Sequence, residues 1–422
     1  MEVDCNGLDD NPIPGTSDPL DELGISDEEL QTQLSLLEVE IGQVAAAQPR
    51  IQNLFGTPSW AGFFAISSFR ESMKIFFQKE QLLATIIHKP TFDPHRVDPA
   101  LLLSIAVSGY TYLHCRQGGM AFSPFALALR EIGEHYIFRR VEQLPGSTAA
   151  LAMSGRVLEI CQAAYIIETL QFSVKDAETR QHLITKSHPM LVDAMRNLKM
   201  TGSRHQSPAS ESEWHTFVYR ESCIRLLHWV FINDAWFTLF SNHPPAMTFF
   251  DVSGHLPCGD VLWNADSPAS FDTLRFQQDF STGLPCLKSL ISGLLEDEWI
   301  GGTMASYQQL DIKHFLIMIL AFEHLIFHHH SLTIAQNGSS VLLRGLDRWS
   351  QLWDDALGRL SADERNALGL VKYSTELAFL FRRIIELGRA EDGKELEYLQ
   401  RRVTYDTGVL HHFIRQCTTR LV

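Results

Sequence analysis

The stretch that most limits what this chain can fold into runs from Trp214 to His243, W-H-T-F-V-Y-R-E-S-C-I-R-L-L-H-W-V-F-I-N-D-A-W-F-T-L-F-S-N-H. No Gly or Pro interrupts it, and at 3.6 residues per turn Phe217, Ile224, Leu227, Val230, Phe231 and Ile232 point in every direction. A helix that is apolar all round lies inside a bundle or inside a membrane. A membrane span needs about 20 mostly apolar residues. Here Arg220, Glu221 and Arg225 precede the apolar part and Asp234 interrupts it. The stretch therefore predicts a buried core helix, near 214–242, whose charges are paired. Pro244 and Pro245 end it, because neither supplies the next backbone N–H.

The remaining periodicities are helical as well. They cover Trp60 to Thr91, Leu101 to Ala106, Phe125 to Leu144 and Arg156 to Phe172. Further on they cover Pro285 to Leu295, Asp311 to His330, Asp347 to Leu360 and a long stretch opened by Ser361 and Glu364. No set of alternating β-branched runs separated by turn signals occurs, and no fixed repeat. The expected fold class is all-α, a large multi-helix bundle built round the helix near 214–242. The Ser-rich stretch 201–213 is expected to be a surface connector.

Three blocks recur in a recognisable order. The first is His88-Lys89-Pro90-Thr91-Phe92, followed by Leu101, Leu102, Leu103, Ile105 and Gly109. The second is His188-Pro189-Met190-Leu191-Val192 with Arg196. The third places Glu221, Arg225 and Trp229 four apart, then Asp234, Pro244-Pro245, and L-P-C-G-D-V-L-W with Pro257, Cys258 and Trp263. Together, over about residues 60–270, they resemble the regulatory (middle homology) domain of fungal-specific transcription factors. The likeness is nearest to members that carry two-Cys, two-His zinc fingers.

The resemblance implies a nuclear transcription regulator of a fungal metabolic or secondary-metabolite gene cluster. Its implied partners are other transcription factors or coactivators, and it implies no cofactor and no membrane association. It makes His88, Pro90, Phe92, His188, Glu221, Arg225, Trp229, Asp234, Pro245, Pro257, Cys258 and Trp263 structural motif positions, with no catalytic or metal role. Taken alone, His88 reads as a residue capping or packing a helix-ending turn.

The family's zinc module is missing from this sequence. The seven cysteines, Cys5, Cys115, Cys161, Cys223, Cys258, Cys286 and Cys417, are scattered, and no C-x-x-C occurs. The net charge of −15 is also unevenly placed: residues 1–49 hold twelve of the 50 acids and no Lys or Arg, so the body is nearly neutral. Such a body lacks the basic field that drives non-specific nucleic-acid binding. DNA contact is accordingly expected only indirectly, either because the chain is a truncated form or because a partner binds the DNA. Neither a secretory signal nor a run of five basic residues marks a destination.

Composition divides the chain into an acidic, partly disordered segment, 1–49, and an all-α body, 50–422. Within the segment, Ser26 and Glu29 have capping-box spacing, and Leu30, Leu34, Leu37, Ile41 and Val44 follow at spacings of 4, 3, 4 and 3. Two heptads are too few for a coiled coil. The seam reads as an amphipathic helix docking on its own domain; an acidic-hydrophobic activation segment is a further reading, and a homodimer stays open. The segment is expected to be separable from the fold, above all its first 24 residues.

Two enzymatic readings compete. Glu323, His324 and His328–His330 form the densest ligand-type cluster, but H-E-x-x-H is absent, and a polar helix end accounts for it. A terpene-cyclase reading needs acid clusters for magnesium and diphosphate. Asp354-Asp355 lacks the third acid of D-D-x-x-D, and Asn233-Asp234 with Thr238 lacks the closing Glu. These pairs read as helix-surface and buried-pair residues. A non-catalytic helical scaffold is the remaining alternative.

Overall fold

The computed structural model describes residues 26–48, 52–54, 56–80, 85–118, 123–144, 155–174, 176–205, 213–277, 285–299, 306–308, 310–331, 338–389, 393 and 395–419. Among these the chain is all-α, without a strand. No helix among them is long and apolar enough to cross a membrane. The contacts divide the chain into two compact units, Met1–Val174 and Lys175–Val422.

The first unit holds α1 (Asp27–Ala46), α2 (Pro58–Phe63), α3 (Ile66–Ile75), α4 (Pro99–Gly118), α5 (Pro124–Glu142) and α6 (Gly155–Phe172). Leu30, Leu34, Leu37 and Ile41 are buried on the inner face of α1, which packs on α3, α4 and α5. Burial of each such side chain contributes about 1.5–3 kcal/mol. Polar ties reinforce the docking: Arg70 pairs with Asp27 at 2.6 Å, and Trp60 Nε1 donates to Glu38 at 3.0 Å. The heptad seam is thus an intramolecular face, and separability from the fold does not extend to α1. Ser26 stands at its N-cap, yet the side chain makes no capping bond.

The region from Trp60 to Thr91 is not one helix. It breaks at Phe64–Ala65 between α2 and α3, and α3 loosens into a π turn at Phe76–Glu80. Residues 81–84 lie outside the described residues. The His88 block follows as a 3-10 turn, Lys89–Thr91, with Pro90 in its first turn. His88 is buried and its Nδ1 bonds Thr91 Oγ1 at 2.9 Å, while Phe92 packs edge-on to Phe77. This block turns the chain between helices.

Into the second unit fall α7 (Ala177–His182), α8 (His188–Asn197), α9 (Trp214–Ser241), α10 (Asp260–Trp263), α11 (Pro268–Gln277) and α12 (Leu287–Leu295). They are followed by α13 (Ile312–Ser331), α14 (Gly338–Gly358), α15 (Ala362–Asn366), α16 (Ser374–Arg389) and α17 (Gly408–Thr419). The 28-residue α9 is buried along nearly its whole length and packs on α8 and α13. In turn α13 packs on α12, α14 and α16.

That central placement overturns one expectation. Glu323 and His324 do not mark a polar helix end: α13 is enclosed on several sides, and both residues are buried with Phe322 and Ile326. Two boundaries also differ. α14 begins at Gly338, well ahead of Asp347. The stretch after Ser361 is interrupted: Ser361 and Glu364 form a true capping box, but it opens only the short α15. A 3-10 turn, Gly369–Tyr373, then precedes α16, with Gly369 at φ 55°. That left-handed backbone is open to glycine and breaks an α-helix.

Candidate functional site

The third sequence block builds a reversal of the chain around α9. The helix stops at Ser241 with Asn242 left-handed at φ 50°, whose N–H returns to the Thr238 carbonyl. After Pro244-Pro245 the chain runs back alongside α9 and is fastened to it at two buried charge clusters.

The first cluster centres on Glu221 and Arg225, one helical turn apart and both almost fully buried. Arg225 Nε donates to Glu221 Oε1 at 2.6 Å, and Nη2 donates to the Cys258 carbonyl at 2.6 Å. Nη1 lies 3.3 Å from Asp260 Oδ1. Its guanidinium sits 4.6 Å from the centre of the Trp263 ring, a cation–π contact. Glu221 Oε1 also accepts the Cys258 N–H at 2.9 Å, and Oε2 accepts from His205 Nε2 at 2.7 Å. Helix α13 supports the same loop: Lys313 pairs with Asp260, and His314 Nε2 donates to the Pro257 carbonyl at 2.8 Å.

Burial alone would push the Glu221 carboxyl up, but the charge of Arg225 and the His205 bond outweigh it and bring it down to about 2. Burial opposes the charge of Arg225, yet Glu221 holds its pKa above the ordinary value. Both groups are thus ionised and pair with each other. Burial pushes the Cys258 thiol well up, and lifts Cys223 to about 12, so neither is a thiolate nucleophile.

Asp234 organises the second cluster. Its Oδ1 accepts from His188 Nε2 at 3.1 Å and from the Ala246 N–H at 2.9 Å. Oδ2 accepts the Met247 N–H at 2.9 Å and faces His324 Nε2 at 3.4 Å. Burial works against the ion, but the His188 bond and the backbone donors keep Asp234 below the usual carboxylate range. Desolvation brings His324 down to about 4, so its ring is neutral near pH 7. Arg196 holds the next turn, through paired bonds to Asp251 at 2.8 and 2.9 Å and one to the Ala246 carbonyl at 2.7 Å. Gly254 is forced by close approach, since a Cβ there would stand 2.1 Å from the Ser203 carbonyl oxygen.

His188, Glu221, Arg225, Asp234, Pro257, Cys258 and Trp263 therefore act on one reversal. Trp229 is half-buried and, among the described residues, makes no hydrogen bond or cation–π contact with Glu221 or Arg225; Trp263 is the ring that stacks on Arg225. Pro245 is half-buried in the reversal itself. His88, Pro90 and Phe92 belong to the first unit. His205, Asp260 and His314 were invisible to the sequence reading, because their only signal lay in loops or on helices with no marked spacing. Asp354 and Asp355 are exposed on α14.

In the first unit a cleft of about 480 Å³ is lined by Gln33, His95, Arg96, Asp98, Arg140 and Arg156, among others. Its inner charges answer one another: Arg140 donates to Asp98 at 2.8 Å and to Tyr136 at 3.0 Å. Among the described residues, no group of three or more His, Cys, Asp or Glu side chains could hold a metal ion.

Comparison with known proteins gives a consistent family. Transcription factor verF of Penicillium polonicum is 25% identical over 281 residues, 62% of this chain and 36% of that protein. Zinc finger protein zas1 of Schizosaccharomyces pombe is 23% identical over 220 residues, 50% of this chain and 23% of its own. A nicotinate catabolism cluster-specific transcription factor of Emericella nidulans is 23% identical over 239 residues, 54% of this chain and 26% of its own. The chain thus spans roughly a third or less of the length of these curated relatives. No solved structure matches it. The family model described as fungal specific transcription factor domain matches residues 73–343, which takes in all three blocks and continues through α13. The chain belongs to the fungal-specific transcription factor domain family.

Proposed function

We propose that this chain is the regulatory part of a nuclear transcription regulator, controlling a fungal metabolic or secondary-metabolite gene cluster and reaching DNA either as a truncated form of a longer regulator or through a partner. The observation that carries the reading is the family match over residues 73–343, which encloses the reversal built on Glu221, Arg225 and Asp234. Residues 50–422 form the regulatory body together with α1, whose apolar seam is buried, and the acidic charge of the 1–49 segment is what coactivators engage. The motif residues serve as fold-holding groups, since their charges are paired internally. No catalytic step is assigned to the chain.

Chromatin occupancy mapped in wild-type and deletion strains tests this. The expected result is enrichment at promoters of one co-regulated gene set, with altered transcripts on deletion and loss of occupancy when the DNA-binding partner is removed. Absence of promoter association would overturn it. The purified chain should meanwhile select no motif from a random duplex pool at physiological salt.

A further inference from the structure

Glu323 on α13 is 0% exposed, and neither carboxylate oxygen has a hydrogen-bond partner. The cation facing it is Arg401, whose Nη1 lies 3.8 Å from Oε1, beyond hydrogen-bond reach. Arg401 belongs to the C-terminal segment 395–419, which is tied to the end of α9 by several specific bonds. Arg401 Nη1 donates to Asn242 Oδ1 at 2.8 Å, and Asn242 Nδ2 donates to the Tyr398 carbonyl at 3.0 Å. The Tyr398 hydroxyl donates to the Leu239 carbonyl at 2.8 Å, and the Thr404 N–H to the Ser241 carbonyl at 2.9 Å. The guanidinium stands over the rings of Phe327 and Tyr398, while its Nε and Nη2 have no partner. Arg401 is itself left-handed, at φ 53°. The segment thus closes over an acid that receives no donor from it.

We propose that Glu323 is a proton-controlled catch for the C-terminal segment: protonated, it lets residues 395–419 close on α9 and α13, and loss of the proton favours their opening.

The physical reason is the contrast between the two positions of the segment. Closed, an ionised Glu323 would be enclosed with one cation at 3.8 Å and no donors. Open, it would be hydrated. An enclosed carboxylate without donors holds its proton more tightly. Burial accordingly raises Glu323 to about 7, with Arg401 opposing. The sign follows: the closed form binds the proton more tightly than the open one. Closure is fully favoured below the ordinary carboxylate range and loses that advantage as pH rises to about 7.

Two histidines near the pair, His324 and His330, are held neutral across this window. His330 lies near Arg401 and is brought down to about 3 by burial and that charge. His324 is brought down to about 4 and faces Asp234 of α9, which is held low. Tyr398 is raised by burial and by Glu323. His329 bonds Ser339 on α14 and is lowered by burial. No ion pair from α14 or α16 to Glu323 occurs among the described residues.

Hydrogen exchange of residues 395–419 in the full chain, corrected for intrinsic exchange and read from about pH 5 to 8, tests the catch. In the wild type the opening equilibrium should rise by up to about tenfold per pH unit to about pH 7 and then level off. Glu323→Gln should keep the segment closed with no such rise. Asn242→Ala, which removes the other anchor of Arg401, should raise opening at every pH and preserve the slope. A flat wild-type profile, or Glu323→Gln and wild-type profiles that coincide, overturns the proposal. Should Glu323→Gln fail to fold, the wild-type and Asn242→Ala slopes decide: equal pH-dependent slopes support it, and a flat or altered slope overturns it.

Discussion

Arg225 donates from Nε to Glu221 Oε1 at 2.6 Å, and the same oxygen accepts the Cys258 N–H at 2.9 Å. The pair is therefore a staple between α9 and the returning loop, and its energetics differ from those of a surface pair. Exposed i,i+4 pairs contribute about 0.3–0.5 kcal/mol. Removing one partner of a buried pair leaves an uncompensated charge and costs roughly 3–5 kcal/mol. Arg225→Ala should lose about that much in urea denaturation. Glu221→Gln should lose less, because the amide oxygen still accepts the Cys258 N–H. If Arg225 served an effector instead, Arg225→Ala would unfold like wild type while regulation failed.

Acid should weaken the same staple. Glu221 folds with its carboxyl at about 2, below the ordinary value of 4.5. A depressed carboxylate contributes stability that is present above its unfolded pKa and lost as pH falls through the folded one. Stability against urea should therefore decline from about pH 4.5 toward 2, and Glu221→Gln should flatten that part of the profile. Parallel profiles for the two proteins would rule out Glu221 as a source of the acid limb.

Much of this was legible in the sequence because burial leaves a periodic signature. α9 could be read as a core helix from its all-round apolar pattern, and the need to pair Glu221, Arg225 and Asp234 followed from that burial. The partners were not legible. His205 sits in a polar loop, and Cys258 contributes backbone atoms that any residue would offer. Glu323 and His324 misled for the opposite reason: acid and histidine near a helix end look solvated until α9, α14, α16 and, over Glu323, the segment carrying Arg401 enclose them. Ser26 shows that a capping pattern fixes a helix start without fixing the capping bond.

Gly109 gains a reason from the structure. A Cβ at this position would stand 1.8 Å from the Ser72 carbonyl oxygen, so α3 and α4 meet backbone to backbone. The obstructing atom belongs to a helix and cannot swing aside. Gly109→Ala should cost at least the roughly 1–3 kcal/mol typical of an overpacked core, seen as a lowered thermal midpoint. Gly62→Ala, where a Cβ meets nothing within 4 Å, is the control and should melt within a degree or so of wild type.

Asp234 and Arg196 hold successive turns of one returning loop, and that shared task makes a sharper prediction than either residue alone. Asp234 fixes the Ala246 and Met247 amides, while Arg196 holds the Ala246 carbonyl and Asp251. Asp234→Ala strands two backbone donors and His188, and should cost roughly 3–5 kcal/mol. Asp234→Asn retains one acceptor oxygen but turns an amide donor toward other donors, for about 1–3 kcal/mol. Once Asp234 is gone the loop is already loosened, so Arg196→Ala should cost less in that background than in wild type. The double-mutant cycle should show a coupling of about 0.5–3 kcal/mol. Strict additivity in urea denaturation would mean that the two residues secure independent structures, and would end the reading of 244–251 as a single anchored turn.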